Sequence, residues 1–205
     1  MVDQLRRVCR QGVTTLPATG AGLSVMGTDK QFSMLTATDP TSERLEELQF
    51  VLGEGPCVDA GRTRRPVLVP DLEADGPSRW PAYASAVLQA GIAAVFAFPL
   101  QVGATQLGVM DFFRESTGHL SSPELTRAYA LADEAVEILL GGTADTSLTG
   151  PAELFQAQGM VMVQIGGSLT EAMSRIRAHA YAENRRLMDV VNDIVERKLK
   201  FDRDE

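Results

Sequence analysis

The sequence predicts an α+β protein in two parts, an antiparallel sheet with flanking helices followed by a small all-α unit of three helices. Three observations carry this. The strand-like runs "AGLSVMG" and "FSMLTAT" flank turn residues Gly27 to Lys30, and "AAVFAFPLQV" and "QLGVMDFFR" flank Gly103-Ala104, so both pairs read as hairpins. Helical runs lie between and after the pairs instead of alternating with single strands, which disfavours a doubly wound sheet. The small, polar stretch "GGTADTSLTGP" at 141–151 then separates this part from an alanine- and methionine-rich tail. The expected boundaries are 1–141 for the first unit, including an N-terminal helix, 142–151 for a linker and 152–201 for the helical unit.

In the first unit, "SERLEELQFVL" at 42–52 reads as a helix, and Gly53 and Gly55 in "LGEGPC" read as a tight turn that uses glycine's access to positive φ. A phosphate-cradling loop is the rival for that turn, but neither GxGxxG nor GxxxxGK[ST] is present. Cys57 follows the turn and would begin a short helix, whose dipole would lower the thiol pKa and make it a candidate redox group; a plain buried residue is the alternative. "PVLVPDL" reads as a short strand, "YASAVLQAG" as a helix, and Ser122 to Leu140 as a longer helix. The aromatics Trp80, Tyr83, Phe96, Phe98, Phe112 and Phe113 could line a ligand cavity between sheet and helices, or simply fill the core. His119, in "STGHLS", has no partner nearby in sequence and reads as a surface loop residue.

Three helices account for the tail. "AELFQAQGMVMVQ" at 152–164 has Pro151 at its start, one apolar stripe of Leu154, Ala157, Val161 and Ile165, and a second carrying Phe155 and Met162, so it needs two partners. Gly166-Gly167 breaks it, and "SLTE" at 168–171 has the form of a capping box that starts the next helix at Ser168. Leu169, Ala172, Met173, Ile176 and Ala180 form the buried stripe of that helix. Asn184 is placed to cap the third, whose stripe is Leu187, Val190, Val191, Ile194 and Lys198, flanked by Val195 and Leu199. The small residues Ala157, Ala172, Ala178 and Ala180 would let the helices approach closely.

Composition narrows the function. The net charge of -8 argues against a protein that coats nucleic acid nonspecifically. The acid is concentrated early: residues 1–150 hold 11 basic and 18 acidic side chains, a balance of -7, and 151–205 hold 8 and 9, a balance of -1, so the tail could present a basic face. No apolar run is long enough to span a bilayer and the first residues lack a signal-peptide pattern, so a cytoplasmic protein with no membrane partner is expected. Two cysteines and two histidines, with no HExxH or paired CxxC, make a transition metal unexpected, although carboxylate sites for hard ions stay open. No cofactor is implied.

The strand pair after Gly20, the "LGEGPC" turn, the "PVLVPDL" strand and the "GIAAVFAFPLQVGATQLGVMDFF" hairpin at 91–113 together make roughly residues 12–141 resemble a GAF domain. The resemblance implies a module that senses an unidentified small-molecule ligand or a redox signal. Methionine sulfoxide reductases of GAF type offer an enzymatic comparison, but they rely on several cysteines in that domain, and Cys57 stands alone in residues 12–141. The tail resembles an ANTAR domain over about 152–201. "QAQGMVM" stands where that family carries a Gln-Ala-Lys-Gly-like start, so Gln156, Ala157 and Gly159 match, as do Ala172 and Ala180 at small core positions and Arg186 with Leu187 at the third helix. Gln158 departs from the usual lysine, and Val191 from a frequent alanine. The resemblance implies binding of RNA stem-loops and promotion of transcription antitermination. Arg177, His179, Tyr181, Arg185 and Arg186 are the candidate RNA contacts, through phosphates, splayed loop bases and stacking.

The expectation is therefore a non-enzymatic sensor and regulator, acting as a homodimer because a unit of about 50 residues has a marginal core. Its rivals are a ligand or redox sensor whose tail serves only for dimerisation, a GAF-fold redox enzyme, and a DNA-binding helix-turn-helix protein, which the Gly-Gly break fits poorly.

Overall fold

The computed structural model describes residues 1–27, 32–141, 152–183 and 185–202. The expected linker, the turn residues 28–30 and the cap at Asn184 lie outside the described residues. The chain divides into two compact units, Met1–Leu148 and Thr149–Glu205.

The first unit is built on five antiparallel strands, β1 (Gly20–Met26), β2 (Phe32–Ala37), β3 (Val67–Val69), β4 (Ala94–Val102) and β5 (Thr105–Arg114), in the order β2-β1-β5-β4-β3. The two hairpins expected from sequence are β1–β2 and β4–β5, and β1 pairs β5 to join them at the centre. Helix α1 (Val2–Thr15) buries Leu5, Val8, Cys9 and Gly12, the i, i+3, i+4, i+7 positions of one face. Together with α6 (Ser122–Gly141) it covers one side of the sheet, over Leu23, Phe96, Phe98, Met110 and Phe112. The other side carries α2 (Pro40–Leu52), α3 (Pro56–Thr63), α4 (Leu72–Arg79) and α5 (Pro81–Gln89), packed over Val95, Ala97, Val109 and Phe113.

Local chemistry fixes the helix ends. Asp39 Oδ1 accepts the N–H groups of Thr41 and Ser42 at 2.9 and 3.0 Å, and Pro40 supplies the preset first turn of α2. Gly53, at φ 66°, ends the helix in the left-handed conformation expected of it. Helix α4 is absent from the sequence expectation because Gly76 and Pro77 read as breakers; Asp71 caps it through the Ala74 N–H at 3.1 Å, and it tolerates Pro77 near its end.

At Gly108 the central strands leave no room for a side chain, since a Cβ there would lie 2.2 Å from the Ser24 carbonyl oxygen. Gly108→Ala should therefore cost about 3 kcal/mol, an overpacking penalty aggravated by a backbone obstacle. Urea unfolding would check this, and an unchanged midpoint would contradict the β1–β5 register.

The second unit holds three helices, α7 (Ala152–Ile165), α8 (Leu169–Ala182) and α9 (Leu187–Val195), with α7 packed against both others. Its core is Leu154, Ala157, Val161 and Ile165 from α7, Ala172, Met173, Ile176 and Ala180 from α8, and Leu187, Val190, Val191 and Ile194 from α9. Ser168 Oγ caps α8 by accepting the Glu171 N–H at 3.2 Å, as the capping-box motif implies. Several expectations need correction. Leu169 is half exposed because it is the first residue of α8 and lies beyond the packed turn. Ala178 is exposed and spaces no helices. Lys198 is not on the α9 stripe, because the helix stops at Val195 and Arg197 turns at φ 62°. The cap position of α9 is Arg186, with extended backbone and no side-chain cap bond.

Candidate functional site: a buried carboxyl and thiol cluster

The most unusual feature of the sheet is a carboxylate inside a strand buried on both faces. Alternation along β5 sends Met110 and Phe112 toward α1 and α6, and Asp111 toward the α2–α5 side. The residues paired with Asp111 on its two flanks are Gly22 of β1 and Ala97 of β4. These small neighbours leave a recess in the sheet, and Glu46 of α2 descends into it: a Cβ on Gly22 would meet Glu46 Cγ at 2.3 Å. Glu46, Cys57 and Asp111 place one ligating atom each within 4.8 Å of the others, and all three are buried.

Surrounding groups hold this cluster in place. Ser24 Oγ donates to Glu46 Oε2 at 2.7 Å, and Gln49 Nε2 donates to Asp111 Oδ2 at 2.6 Å. Gln49 Oε1 in turn accepts the Cys57 N–H at 2.7 Å, which ties the start of α3 to α2. Gly55 makes that approach possible, since it sits at φ 134° and a Cβ on it would lie 2.5 Å from Gln49 Oε1. The glycine turn therefore serves close packing of the chain, as the tight-turn interpretation requires. Glu54 Oε1 accepts the Ala82 and Tyr83 N–H groups, both at 2.9 Å, and so fixes the start of α5 and brings Tyr83 over the recess. The other carboxylate oxygens, Glu46 Oε1 and Asp111 Oδ1, are buried with no hydrogen-bond partner among the described residues beyond a proton shared between the two acids, and the Tyr83 hydroxyl is buried with none.

Such a group of acids is electrostatically costly. Burial, then the Asp111 carboxylate beside it, pushes Glu46 well above the usual carboxyl range. Burial raises Asp111 to about 6, against hydrogen bonds from Glu46 and Gln49 that favour its charged form. Within the pair, the shared hydrogen bond raises Glu46 and lowers Asp111, so it favours the proton on Glu46 and the charge on Asp111. The Cys57 thiol is pushed well up, by burial first and by Asp111 and Glu46 next.

That last result corrects the redox expectation for Cys57. It does lie in the first turn of α3, but desolvation and two acidic neighbours outweigh the helix dipole and push the thiol up, away from the thiolate form on which peroxide chemistry depends. Nor is Cys57 the only cysteine of the unit. Cys9 of α1 belongs to it as well, in the core on the opposite side of the sheet, its thiol pushed up to about 12 chiefly by burial. Both are free.

The aromatic residues expected to line one pocket are divided by the sheet. Trp80 and Tyr83 pack on the α2–α5 side, whereas Phe96, Phe98 and Phe112 pack under α1 and α6. Phe98 stands edge-on to Phe112 and to Tyr129, with ring centroids 5.9 and 5.4 Å apart, which is core packing. Arg79 lies 4.0 Å over the Trp80 ring. Trp80, Tyr83 and Phe113 share the side of the sheet that holds the buried cluster, which sequence reasoning missed apart from Cys57. The available signal was Asp111 itself, an acid among Val109, Met110, Phe112 and Phe113 in a strand read as core.

In the second unit, Arg177 and Tyr181 share a face of α8 at i, i+4 spacing, with Arg177 half-buried and Tyr181 54% exposed. His179 points elsewhere, edge-on to Phe201 at 5.5 Å, and Phe201 is itself buried and donates its N–H to Gln164 Oε1. Arg185 and Arg186 are exposed in the turn before α9, and Arg185 pairs with Asp193 at 2.6 Å. Gln158, in place of the lysine of the resembled family, is buried and donates to the Leu169 carbonyl at 2.8 Å, joining α7 to the start of α8.

A five-stranded antiparallel sheet with helices on both faces and a polar recess under the α2–α5 layer defines the first unit as an α+β domain. The chain belongs to the GAF domain family, whose model matches residues 2–139. Solved structures of similar fold include a GAF domain/HD domain protein from Geobacter sulfurreducens, at 16% identity and a TM-score of 0.55, covering 70% of this chain and 97% of that one. A type II free methionine-R-sulfoxide reductase from Thermoplasma acidophilum matches at 13% identity and 0.54, covering 68% and 92%. The GAF domain of a phosphoenolpyruvate-protein phosphotransferase from Coxiella burnetii matches at 18% and 0.52, covering 68% and 83%. No curated protein matches the chain. The family implies a signal-sensing, regulatory role, and no helix among the described residues is long and apolar enough to cross a membrane.

Proposed function

We propose that the protein is a cytoplasmic, non-enzymatic regulator in which the GAF unit senses a signal and the second unit binds RNA stem-loops to promote transcription antitermination. The observation that carries this reading is the clustering of Tyr181, Arg185 and Arg186 within six residues, all exposed, where α8 gives way to α9. An exposed aromatic beside two guanidinium groups suits unpaired bases and phosphates of an RNA loop better than it suits the major groove of duplex DNA. The match of the "QAQGMVM" and "NRRLMDVV" segments to the ANTAR pattern supports the same assignment. Crosslinking and sequencing of RNA bound by the full-length protein in its native cytosol tests it, with stem-loops upstream of terminators as the expected enrichment; no enriched RNA would leave the tail as a dimerisation element.

The protein should also be a homodimer. Val163 on α7 is 71% exposed and Phe155 and Met162 are only partly covered, so the helix has apolar surface to offer a second copy. Light scattering at tens of micromolar should give twice the monomer mass, and a monomer with and without RNA would exclude it.

A further inference from the structure

We propose that Glu46, Cys57 and Asp111 bind a divalent transition-metal ion in the sensor unit, a site of one thiolate and two carboxylates suited to the Zn(II), Co(II) and Fe(II) class. The inference rests on the first unit alone and is independent of RNA binding.

Geometry supports this in three ways. The three ligating atoms lie within 4.8 Å of one another. Around a tetrahedral ion with metal–oxygen bonds near 2.1 Å and a metal–sulfur bond near 2.3 Å they would stand about 3.5 Å apart, so side-chain movements of about 1 Å close the site. Second, each carboxylate has one oxygen held by an outer donor, Ser24 for Glu46 and Gln49 for Asp111, while the remaining oxygens are buried with nothing among the described residues to face except a proton shared between the two acids. That is the division of labour around a metal: outer groups orient the ligand and the remaining oxygen coordinates. Third, the Tyr83 hydroxyl, on the same side of the sheet as Cys57, is fully buried and has no hydrogen-bond partner among the described residues.

The electrostatics agree. Beyond the one hydrogen bond between Glu46 and Asp111, two acids and a thiol buried together gain little from one another, and a packed apolar core would have been cheaper. A divalent cation reverses the sign of the problem, because it stabilises both carboxylates and displaces the Cys57 proton, which leaves to solvent as the thiolate binds. Thiolate in the ligand set selects against Mg²⁺ and Ca²⁺, which prefer oxygen alone. Three protein ligands leave the fourth position of a tetrahedral ion to a ligand as small as water.

The test uses the full chain, stripped by chelator under mild denaturation and refolded with Co(II). The expected result is one equivalent bound, with a thiolate-to-cobalt charge-transfer band in the near ultraviolet, visible bands of a tetrahedral ion, and a raised melting temperature. Cys57→Ser should abolish the near-ultraviolet band. Glu46→Gln and Asp111→Asn should weaken Co(II) binding at least tenfold while circular dichroism shows a folded chain, and the outer variant Gln49→Leu should weaken it about 10- to 100-fold. The proposal is overturned if Co(II) gives no charge-transfer band, or if the folded Glu46→Gln and Asp111→Asn proteins bind it as tightly as wild type.

Discussion

In chelator at pH 7.5, Asp111→Asn should melt above the wild-type chain. The substitution keeps an acceptor for Gln49, which donates to Asp111 at 2.6 Å, and adds an amide donor that can face the Glu46 carboxyl, while it removes a buried charge. The gain should be about 1–3 kcal/mol, or roughly 2–8 °C for a domain of this size. The pH dependence follows from the direction of the shift. Asp111 is raised from 3.8 to about 6 on folding, so the native state binds the proton more tightly than the unfolded chain does. Its contribution is therefore favourable below about pH 4 and is lost as pH rises through 6. The difference between variant and wild type should accordingly be small near pH 4, grow to pH 6 and then level off. The groups facing Asp111 that share in the titration are Glu46 from α2, Cys57 from α3 and Tyr83 from α5, all held above their usual values by burial first. Melting curves across pH 4–8 check this; a variant less stable than wild type at pH 7.5 would mean that Asp111 is stabilised in a way its surroundings do not explain. A carboxylate kept at such a cost suits a functional role, since stability is commonly traded for function at binding sites.

Arg185→Ala/Arg186→Ala should weaken binding of a cognate RNA stem-loop by about 2–4 kcal/mol, at about 1–2 per charge-assisted contact. The slope of affinity against salt should flatten, because fewer counterions are released. The net charge of -8 makes these few cations important, as most of the surface repels RNA. Thermal stability should change by less than about 1 kcal/mol, since the Arg185–Asp193 pair and the Arg186 side chain are exposed to solvent. That pair adds a second arm. Asp193 competes with phosphate for Arg185, so Asp193→Ala should tighten RNA binding or leave it unchanged, and a large loss there would place the RNA surface elsewhere. Affinity at two salt concentrations, measured beside thermal melts, decides among these outcomes.

Local pattern was sufficient for much of the architecture. Alternation and turn residues located both hairpins, and the capping box at Ser168 located the start of α8, because these signals act between residues a few positions apart. The same range explains the failures. Helix α4 was hidden by Gly76 and Pro77, whose breaking tendency is overridden by the Asp71 cap and by burial of Leu72. The end of α9 was missed because its apolar spacing continues past the turn at Arg197.

By itself, the sequence determined the order of the strands and of the helices other than α4, most of their buried faces and the clustering of cations before α9. Only the tertiary structure decided what those faces meet. It divided the aromatic residues between two sides of the sheet, because strand alternation separates Phe112 from Phe113 whatever their shared chemistry. It also brought together Glu46, Cys57 and Asp111, which come from two helices and a strand, up to 65 positions apart. No local rule couples such residues. Their meeting depends on Gly22 and Ala97 leaving a recess beside Asp111, and on the packing of α2 across the sheet that lowers Glu46 into it.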